Sequence, residues 1–111
     1  MRAVIYTRVS TQGQRETSHD DQARNCEQRA AREGWAVGQR YTDHGISGSK
    51  RDRPAYQRML ADAAAGKFEA LLVDDLSRFS RDSVEQETEI RRLERRKVRV
   101  VGVSDGYDST S

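Results

Sequence analysis

Two side chains with complementary chemistry stand close together in the run Tyr6-Thr7-Arg8-Val9-Ser10. Alternation along a strand places Tyr6, Arg8 and Ser10 on one side, so a guanidinium and a hydroxyl would project together where the strand ends. A serine hydroxyl is a weak nucleophile unless its surroundings stabilise the charge that develops during the reaction. The spacing is typical of an activated nucleophile, and equally of a serine that merely begins a loop.

A second cluster of chemistry-bearing side chains lies in the segment 76–82, which reads Leu-Ser-Arg-Phe-Ser-Arg-Asp. Arg78 and Arg81 are three residues apart, and on a helical turn they would share a face. Paired arginines can clamp a phosphoryl group and neutralise the charge of a pentacoordinate transition state. The alternative is a pair of solvated arginines at the start of a helix, where the helix dipole disfavours cations.

A third segment, 43–48, reads Asp-His-Gly-Ile-Ser-Gly and includes Ser47; Arg53-Pro54 follows a few residues later. Its glycines favour a loop that moves or whose backbone lies close to a ligand. The sequence has no G-x-x-x-x-G-K-[ST] phosphate cradle. This absence counts against ATP hydrolysis.

Composition sets the scale of the molecule but does not decide its function. The chain has 111 residues, 34% of them apolar and 34% charged, which suits one compact domain with a modest core. Its net charge is only +2, but 17 of the 20 basic residues are arginine. The planar arginine fork fits phosphate oxygens better than lysine does. Codon usage in a GC-rich genome would give the same bias.

Several classes of protein are disfavoured by what the sequence lacks. The single Cys26 excludes an internal disulfide, fits a reducing compartment, and is expected to be a small buried side chain. His19 and His44 have no partner at metal-binding spacing, so no structural zinc or two-metal site is expected. There is no apolar run of membrane-spanning length and no secretory signal. We therefore expect a soluble, cytoplasmic protein.

These side chains are positioned by a repeated alternation of strand and helix. Periodicity predicts strands at 2–8, 35–41, 70–73 and 98–103, a loop at 42–53, and a polar tail after 103. It predicts helices at about 18–33, 54–65 and 82–96, with Ser18 as an N-cap and Gly34 and Gly66 as stops. The helix faces expected in the core comprise Tyr56, Met59, Leu60, Ala63 and Ala64 in the second helix, and Val84, Ile90 and Leu93 in the third.

Uninterrupted apolar strands that alternate with helices indicate an α/β fold with a mostly parallel sheet of four or five strands and helices on both faces. Sites in such sheets form at the carboxyl ends of the strands. Those ends would deliver Arg8 and Ser10, the loop after Asp43, and Asp74-Asp75 with the turn 77–81. Hydroxyl, carboxylate and guanidinium groups therefore converge on one edge.

The order of these segments resembles the catalytic domain of the serine recombinases, the family of resolvases, invertases and large phage-type integrases and transposases. The matching positions run through nearly the whole chain: Tyr6-x-Arg8-x-Ser10, Ser18-x-x-x-Gln22, Asp43-x-x-x-Ser47-Gly48, Arg53-Pro54 and 76–81. Each is weak alone, and together, in order, they are specific. The long stretch before the first helix and the ending at 100–106 look more like the large type.

The resemblance implies a function and roles for residues. Ser10 would be the nucleophile of DNA recombination, forming a 5′-phosphoserine and releasing a 3′-hydroxyl. The scissile phosphate would be surrounded by Arg8, Arg53, Arg78 and Arg81, and Gln22 would help orient it. Auxiliary roles are open to Tyr6, Ser47, Asp74 and Asp75. Family enzymes require no metal and no cofactor, since the phosphoserine bond stores the energy for rejoining.

Two departures from the family pattern matter. Many members carry Asp immediately before the first arginine of the cluster, where this chain has Ser77; Asp74 or Asp75 could take over that role. Members also continue into a long interface helix and DNA-binding domains. We therefore expect residues 1–111 to be a single catalytic domain cut before those parts. It would act on double-stranded DNA, bind it weakly, and be largely monomeric, whereas the full-length protein would form dimers or tetramers.

Two other functions remain open. The chain could be an inert recombinase-like α/β module that binds a phosphorylated ligand or a protein partner, because fold alone does not separate binding from catalysis. It could also be a phosphoesterase that uses the same serine. A binding module has no need of a hydroxyl beside the arginines. A phosphoesterase would turn over small phosphodiesters without a lasting covalent adduct.

Overall fold

The computed structural model describes residues 1–9, 18–44 and 53–110. Strands run over β1 (Arg2–Val9), β2 (Ala36–His44), β3 (Ala70–Val73), β4 (Arg99–Gly102) and β5 (Tyr107–Asp108), and helices over α1 (His19–Glu33), α2 (Pro54–Ala64) and α3 (Ser83–Arg95). A short 3-10 turn, Leu76–Arg78, follows β3. In these described ranges, no helix has the length and apolar character needed to cross a bilayer.

One sheet of five strands in the order β2-β1-β3-β4-β5 forms the centre of the molecule. β1 lies parallel to β2 and β3, and β3 lies parallel to β4, whereas β5 pairs antiparallel with β4. The predicted α/β fold with a mostly parallel sheet is confirmed, and its four parallel strands bring their carboxyl ends to one edge.

Each face of the sheet carries its own apolar core. Val4 and Tyr6 of β1 belong to a cluster with buried residues of α2 and α3, whereas Ala3 and Ile5 face a smaller cluster with α1. Successive side chains of a strand point to opposite faces, so one short strand serves both layers. Cys26, fully buried in the α1 cluster, occupies the small apolar position expected of it.

Helix α1 begins and ends at the predicted signals. The Ser18 hydroxyl accepts a hydrogen bond from the backbone N–H of Asp21 at 3.1 Å, which satisfies one of the donors left free in the first turn. Gly34 closes the helix in the left-handed conformation at φ 75°, where a side chain would be strained.

Two predicted core positions are wrong, and helix geometry explains both. Ala64 is exposed, whereas Ala55, Tyr56, Met59, Leu60 and Ala63 are the buried residues of α2. At about 100° per residue, Ala64 lies roughly 80° around the helix from Tyr56. Val84 is 71% exposed because it lies about 120° from Ile90 on α3.

One strand is longer than predicted, and another strand was not predicted. β2 continues to His44 instead of ending at 41, because residues 42–44 pair in register with residues 7–9 of β1. β5 lies in the predicted polar tail and pairs Tyr107 with Gly102. A strand of two residues is too short to produce a periodic pattern, so only the pairing with β4 reveals it.

Candidate active site

The carboxyl ends of the parallel strands deliver the predicted site residues to one edge of the sheet. Val9 pairs with His44 and Tyr6 with Val73, so β1 ends between the end of β2 and the Asp74-Asp75 step after β3. Arg8, Gln22, Arg53, Asp75 and Arg78 are described there, whereas Ser10 and Ser47 lie outside the described residues.

The guanidiniums of Arg8 and Arg78 each donate a hydrogen bond to the backbone carbonyl of the other residue. The Arg8 guanidinium donates to the carbonyl of Arg78 at 3.0 Å and to that of Ser77 at 2.9 Å. In return, the Arg78 guanidinium donates to the carbonyl of Arg8 at 2.6 Å. Both residues are only 7% exposed. This exchange locks the end of β1 to the turn after β3.

Arg53 reaches the same turn from a third element. It stands immediately before Pro54, at the start of α2, and its guanidinium donates to the carbonyl of Phe79. Arg53 is 2% exposed, and its guanidinium carbon lies 5.7 Å from the ring centre of Tyr56, a cation–π contact. Three guanidiniums from three separate segments thus converge on residues 77–79.

Gln22 supports the end of β1 from the opposite side. Its side-chain amide donates to the carbonyl of Arg8 at 3.1 Å and accepts from the Arg8 N–H at 3.3 Å. The residue is fully buried on α1. These two bonds fix the peptide of Arg8, so Gln22 acts on the position of the arginine.

Asp75 is the carboxylate that the structure shows in contact with the arginine cluster. Asp75 pairs with the Arg78 guanidinium at 3.3 Å and accepts the backbone N–H of Ser77 at 2.9 Å and also its hydroxyl. Asp74 accepts instead from Asn25 at 2.9 Å, on the α1 side. Neighbouring side chains at the end of a strand point to opposite faces, which separates the two carboxylates.

Tyr6 and Asp43 form a structural pair beneath the arginines. The Tyr6 hydroxyl donates to Asp43 at 3.0 Å, and the same carboxylate accepts the backbone N–H groups of Ala55 at 2.9 Å and Tyr56 at 3.0 Å. Asp43 therefore caps the first turn of α2. Burial, and then the nearby Asp43 charge, raise the pKa of Tyr6 far above its ordinary value, so its phenol stays neutral.

Arg81 does not share a face with Arg78, contrary to the prediction from their spacing. The 3-10 turn ends at Arg78, so no helix connects the two residues. Arg78 is buried, whereas Arg81 is exposed just before the start of α3. Arg81 is thus the accessible arginine of this segment.

Sequence spacing gave no reason to pair His19 with His44, but the fold brings them together. Their Nε2 atoms lie 3.3 Å apart, and His19 Nδ1 lies 2.7 Å from the hydroxyl oxygen of Thr7. Burial, followed by the neighbouring His44, lowers the pKa of His19. Among the described residues, no group of three or more His, Cys, Asp or Glu side chains could hold a metal.

The arginine cluster is chemically suited to an anion. A guanidinium stays protonated at any physiological pH, and burying it is costly unless its N–H groups are hydrogen-bonded. The carbonyls of Ser77, Arg78 and Phe79 supply such bonds to Arg8 and Arg53, and a carbonyl carries no net charge. The cluster is thus fixed before any ligand arrives, which is the condition for stabilising charge in a transition state.

Comparison with known proteins identifies the family of this chain. A family model described as "Resolvase, N terminal domain" matches residues 3–111. The catalytic domain of TP901-1 integrase is 33% identical, with a TM-score of 0.87 over 100% of this chain and 83% of that one. A resolvase-family site-specific recombinase from Streptococcus pneumoniae is 30% identical, with a TM-score of 0.83 over 100% of this chain and 77% of that one.

A curated relative shows how much of a longer protein this chain represents. It is a Bacillus subtilis (strain 168) protein named "Putative DNA recombinase", 32% identical over 106 residues. The match covers 94% of this chain but 21% of the relative, so the chain spans about a fifth of that protein's length. On the match over residues 3–111, and on the fold shared with recombinase catalytic domains, the chain belongs to the resolvase family of serine recombinases.

Proposed function

We propose that this chain is the catalytic domain of a site-specific DNA recombinase that uses Ser10 as its nucleophile. The Ser10 oxygen attacks a backbone phosphorus and the bond from phosphorus to the 3′ oxygen breaks. The 5′ phosphate is left esterified to Ser10, and the 3′ oxygen leaves with a proton as a hydroxyl. Rejoining is the reverse reaction with a new 3′-hydroxyl, which releases the serine. Neither step consumes an external energy source.

The observation that carries this proposal is the convergence of Arg8, Arg53 and Arg78 on one turn. They come from the end of β1, the start of α2 and the turn after β3, and all three are buried and hydrogen-bonded to backbone carbonyls. A preorganised cluster of this kind can stabilise the additional negative charge of a pentacoordinate phosphorane. Ser10 is two residues after Arg8 in sequence.

The remaining site residues take different roles in this proposal. Arg81, exposed beside the cluster, contacts the DNA backbone directly. Gln22 is a positioning residue, because its amide holds the peptide of Arg8. Tyr6 supports the site through Asp43 and the start of α2. Asp74 braces the strand end against α1.

Asp75 supplies the carboxylate that many family members carry at the position of Ser77. Its ion pair with Arg78 and its bonds to Ser77 hold the turn on which the arginines converge. Asp75 is therefore proposed as the residue that orients Arg78 toward the phosphate.

The natural protein is proposed to act on double-stranded DNA as a dimer or tetramer, with residues 1–111 forming one catalytic domain. Few phosphate contacts are offered by this domain alone, so it should bind DNA weakly and with a shallow salt dependence. It should sediment mainly as a monomer at micromolar concentration.

The decisive experiment uses the full-length natural protein and a suicide substrate carrying its recombination site. We expect a denaturation-resistant protein–DNA adduct that maps to Ser10. Ser10→Ala should abolish the adduct while DNA binding persists. Arg8→Ala and Arg78→Ala should slow adduct formation by roughly 10²–10³-fold, the usual effect of losing one charge-stabilising donor.

Arg24→Ala is the matched control, because Arg24 is exposed on α1 and pairs only at the surface with Asp21. It should form the adduct at the normal rate. An unchanged adduct in Ser10→Ala would overturn the assignment of the nucleophile. Multiple turnover of small phosphodiesters without an adduct would favour a phosphoesterase, and binding without either reaction would favour an inert module.

A further inference from the structure

His19 and His44 come from distant parts of the chain and present the same ring nitrogen to each other. His19 is the first residue of α1 and His44 is the last residue of β2. Their Nε2 atoms are 3.3 Å apart, and the ring planes cross at 75° with centroids 4.7 Å apart. Both side chains lie on regular elements, so their mutual position is set by the fold.

The distance between the two nitrogens matches the spacing across a tetrahedral metal. With Zn–N bonds of about 2.0–2.1 Å and tetrahedral angles, two imidazole nitrogens lie about 3.3–3.4 Å apart. The observed 3.3 Å fits this spacing. It lies just outside the usual range of about 2.7–3.2 Å for an N–H···O hydrogen bond.

The other nitrogen of His19 is already engaged, as is usual for histidine ligands. Its Nδ1 lies 2.7 Å from the hydroxyl oxygen of Thr7, which is fully buried on β1. In metal sites such an outer hydrogen bond fixes the ring orientation and leaves Nε2 for the metal. Thr7 thus directs His19 toward His44.

We propose that His19 and His44 form a two-histidine site for a divalent transition metal such as Zn²⁺, bound through both Nε2 atoms. Water completes the coordination, because His44 is exposed and His19 only partly buried. The bound ion would link the start of α1 to the end of β2. This site takes no part in the proposed reaction at Ser10, so either proposal can fail without the other.

Among the described residues, the charges around the pair offset one another. Asp20 adjoins His19 in the chain, and Arg40 of β2 is the nearby cation, paired with Asp20 at 3.4 Å and with Glu27 at 3.3 Å. The Arg40 charge is therefore already offset by two carboxylates. With two protein ligands instead of the three or four of dedicated zinc sites, binding should be modest, in the micromolar range.

The test is a titration of the chelator-treated chain with Zn²⁺ in competition with a chromophoric zinc indicator. We expect one saturable site per chain in the micromolar range. Both His19→Gln and His44→Gln should lose it, and Thr7→Val should weaken it by about tenfold, the usual effect of removing an outer partner. Cys26→Ser is the control, since this buried thiol should make no contribution.

Far-UV circular dichroism of each variant confirms that loss of binding is not loss of folding. As an independent measurement, Zn²⁺ should shift the Nε2 nitrogen resonances of both histidines in ¹⁵N-labelled protein. Absence of saturable binding in the unmodified chain would overturn the proposal. So would an affinity for Zn²⁺ that is unchanged in either histidine variant, or a shift confined to one ring.

Discussion

At the residue scale, the central feature is that buried arginines are held by backbone carbonyls. Arg8 and Arg78 each donate to the other's carbonyl, so moving either guanidinium breaks hydrogen bonds between the end of β1 and the turn after β3. Arg78 also pairs with the Asp75 carboxylate, at 3.3 Å. That carboxylate also accepts the N–H of Ser77, so it fixes the turn as well as the side chain. Orientation of Arg78 should therefore depend on Asp75.

Asp75→Asn should reduce the rate of adduct formation in the full-length protein by about ten- to a hundredfold, the equivalent of one charge-assisted hydrogen bond. Adding Ser77→Asp to this variant should restore much of the rate, because the new carboxylate is adjacent to Arg78 in the chain. The rate is read from single-turnover kinetics on the suicide substrate. Glu87→Gln, in an exposed pair with Arg91, should have no effect. A normal rate in Asp75→Asn would refute the positioning role.

At the element scale, the short strand β5 is stabilised mainly by side chains. Its two residues pair with β4, and Asp108 accepts from Arg99 Nε at 3.0 Å. Asp108 also accepts the N–H of Thr110 at 3.0 Å. The hydrogen bond from Arg99, followed by those from Thr110, lowers the pKa of Asp108 well below its ordinary value. The ionised carboxylate is therefore part of what holds the edge of the sheet.

This pKa shift predicts a specific dependence of stability on pH. The folded-state pKa is depressed, so the stabilisation is complete above the unfolded-state pKa of about 3.9 and is lost as the pH falls toward the folded value. Urea unfolding should show the wild-type chain losing more free energy of unfolding than Asp108→Asn between pH 5 and pH 2. The two chains should converge at the acid end. An equal loss of free energy of unfolding in both chains would show that the pKa of Asp108 is not lowered in the folded state.

At the scale of the whole molecule, the sheet separates two apolar cores, one on each face. Leu72 is fully buried with α1, and its neighbours Leu71 and Val73 are fully buried with α2 and α3. Because every side chain of the central strand β3 is buried, its register with the neighbouring strands β1 and β4 is fixed. The arginine cluster depends on that register, because Arg8 lies near the end of β1 and Arg78 lies in the turn after the neighbouring strand β3.

Leu72→Ala should therefore destabilise the chain by about 2–5 kcal/mol, since it leaves a cavity in the smaller core. Val84→Ala, on the exposed face of α3, should change stability by no more than about 0.5 kcal/mol. Urea denaturation at neutral pH measures both. Equal, small effects would mean that the smaller core adds little to the free energy of unfolding.

The sequence by itself determined the helices α1 to α3, the strands β1 to β4 and the mostly parallel α/β class. Periodicity, caps and short segment patterns are local properties, which a chain carries whatever its neighbours are. Tertiary structure alone decided that Arg81 is exposed, outside the buried cluster of Arg8, Arg53 and Arg78. It also decided that β5 pairs with β4 and that His19 meets His44. Asp75 is an intermediate case. Alternation along the strand already places its side chain on the same face as Leu71 and Val73, toward α2 and α3. Its ion pair with Arg78 forms only because the 3-10 turn that follows brings the two side chains together. Contacts of this kind depend on strand order and register, which arise from long-range packing and leave no local pattern in the sequence.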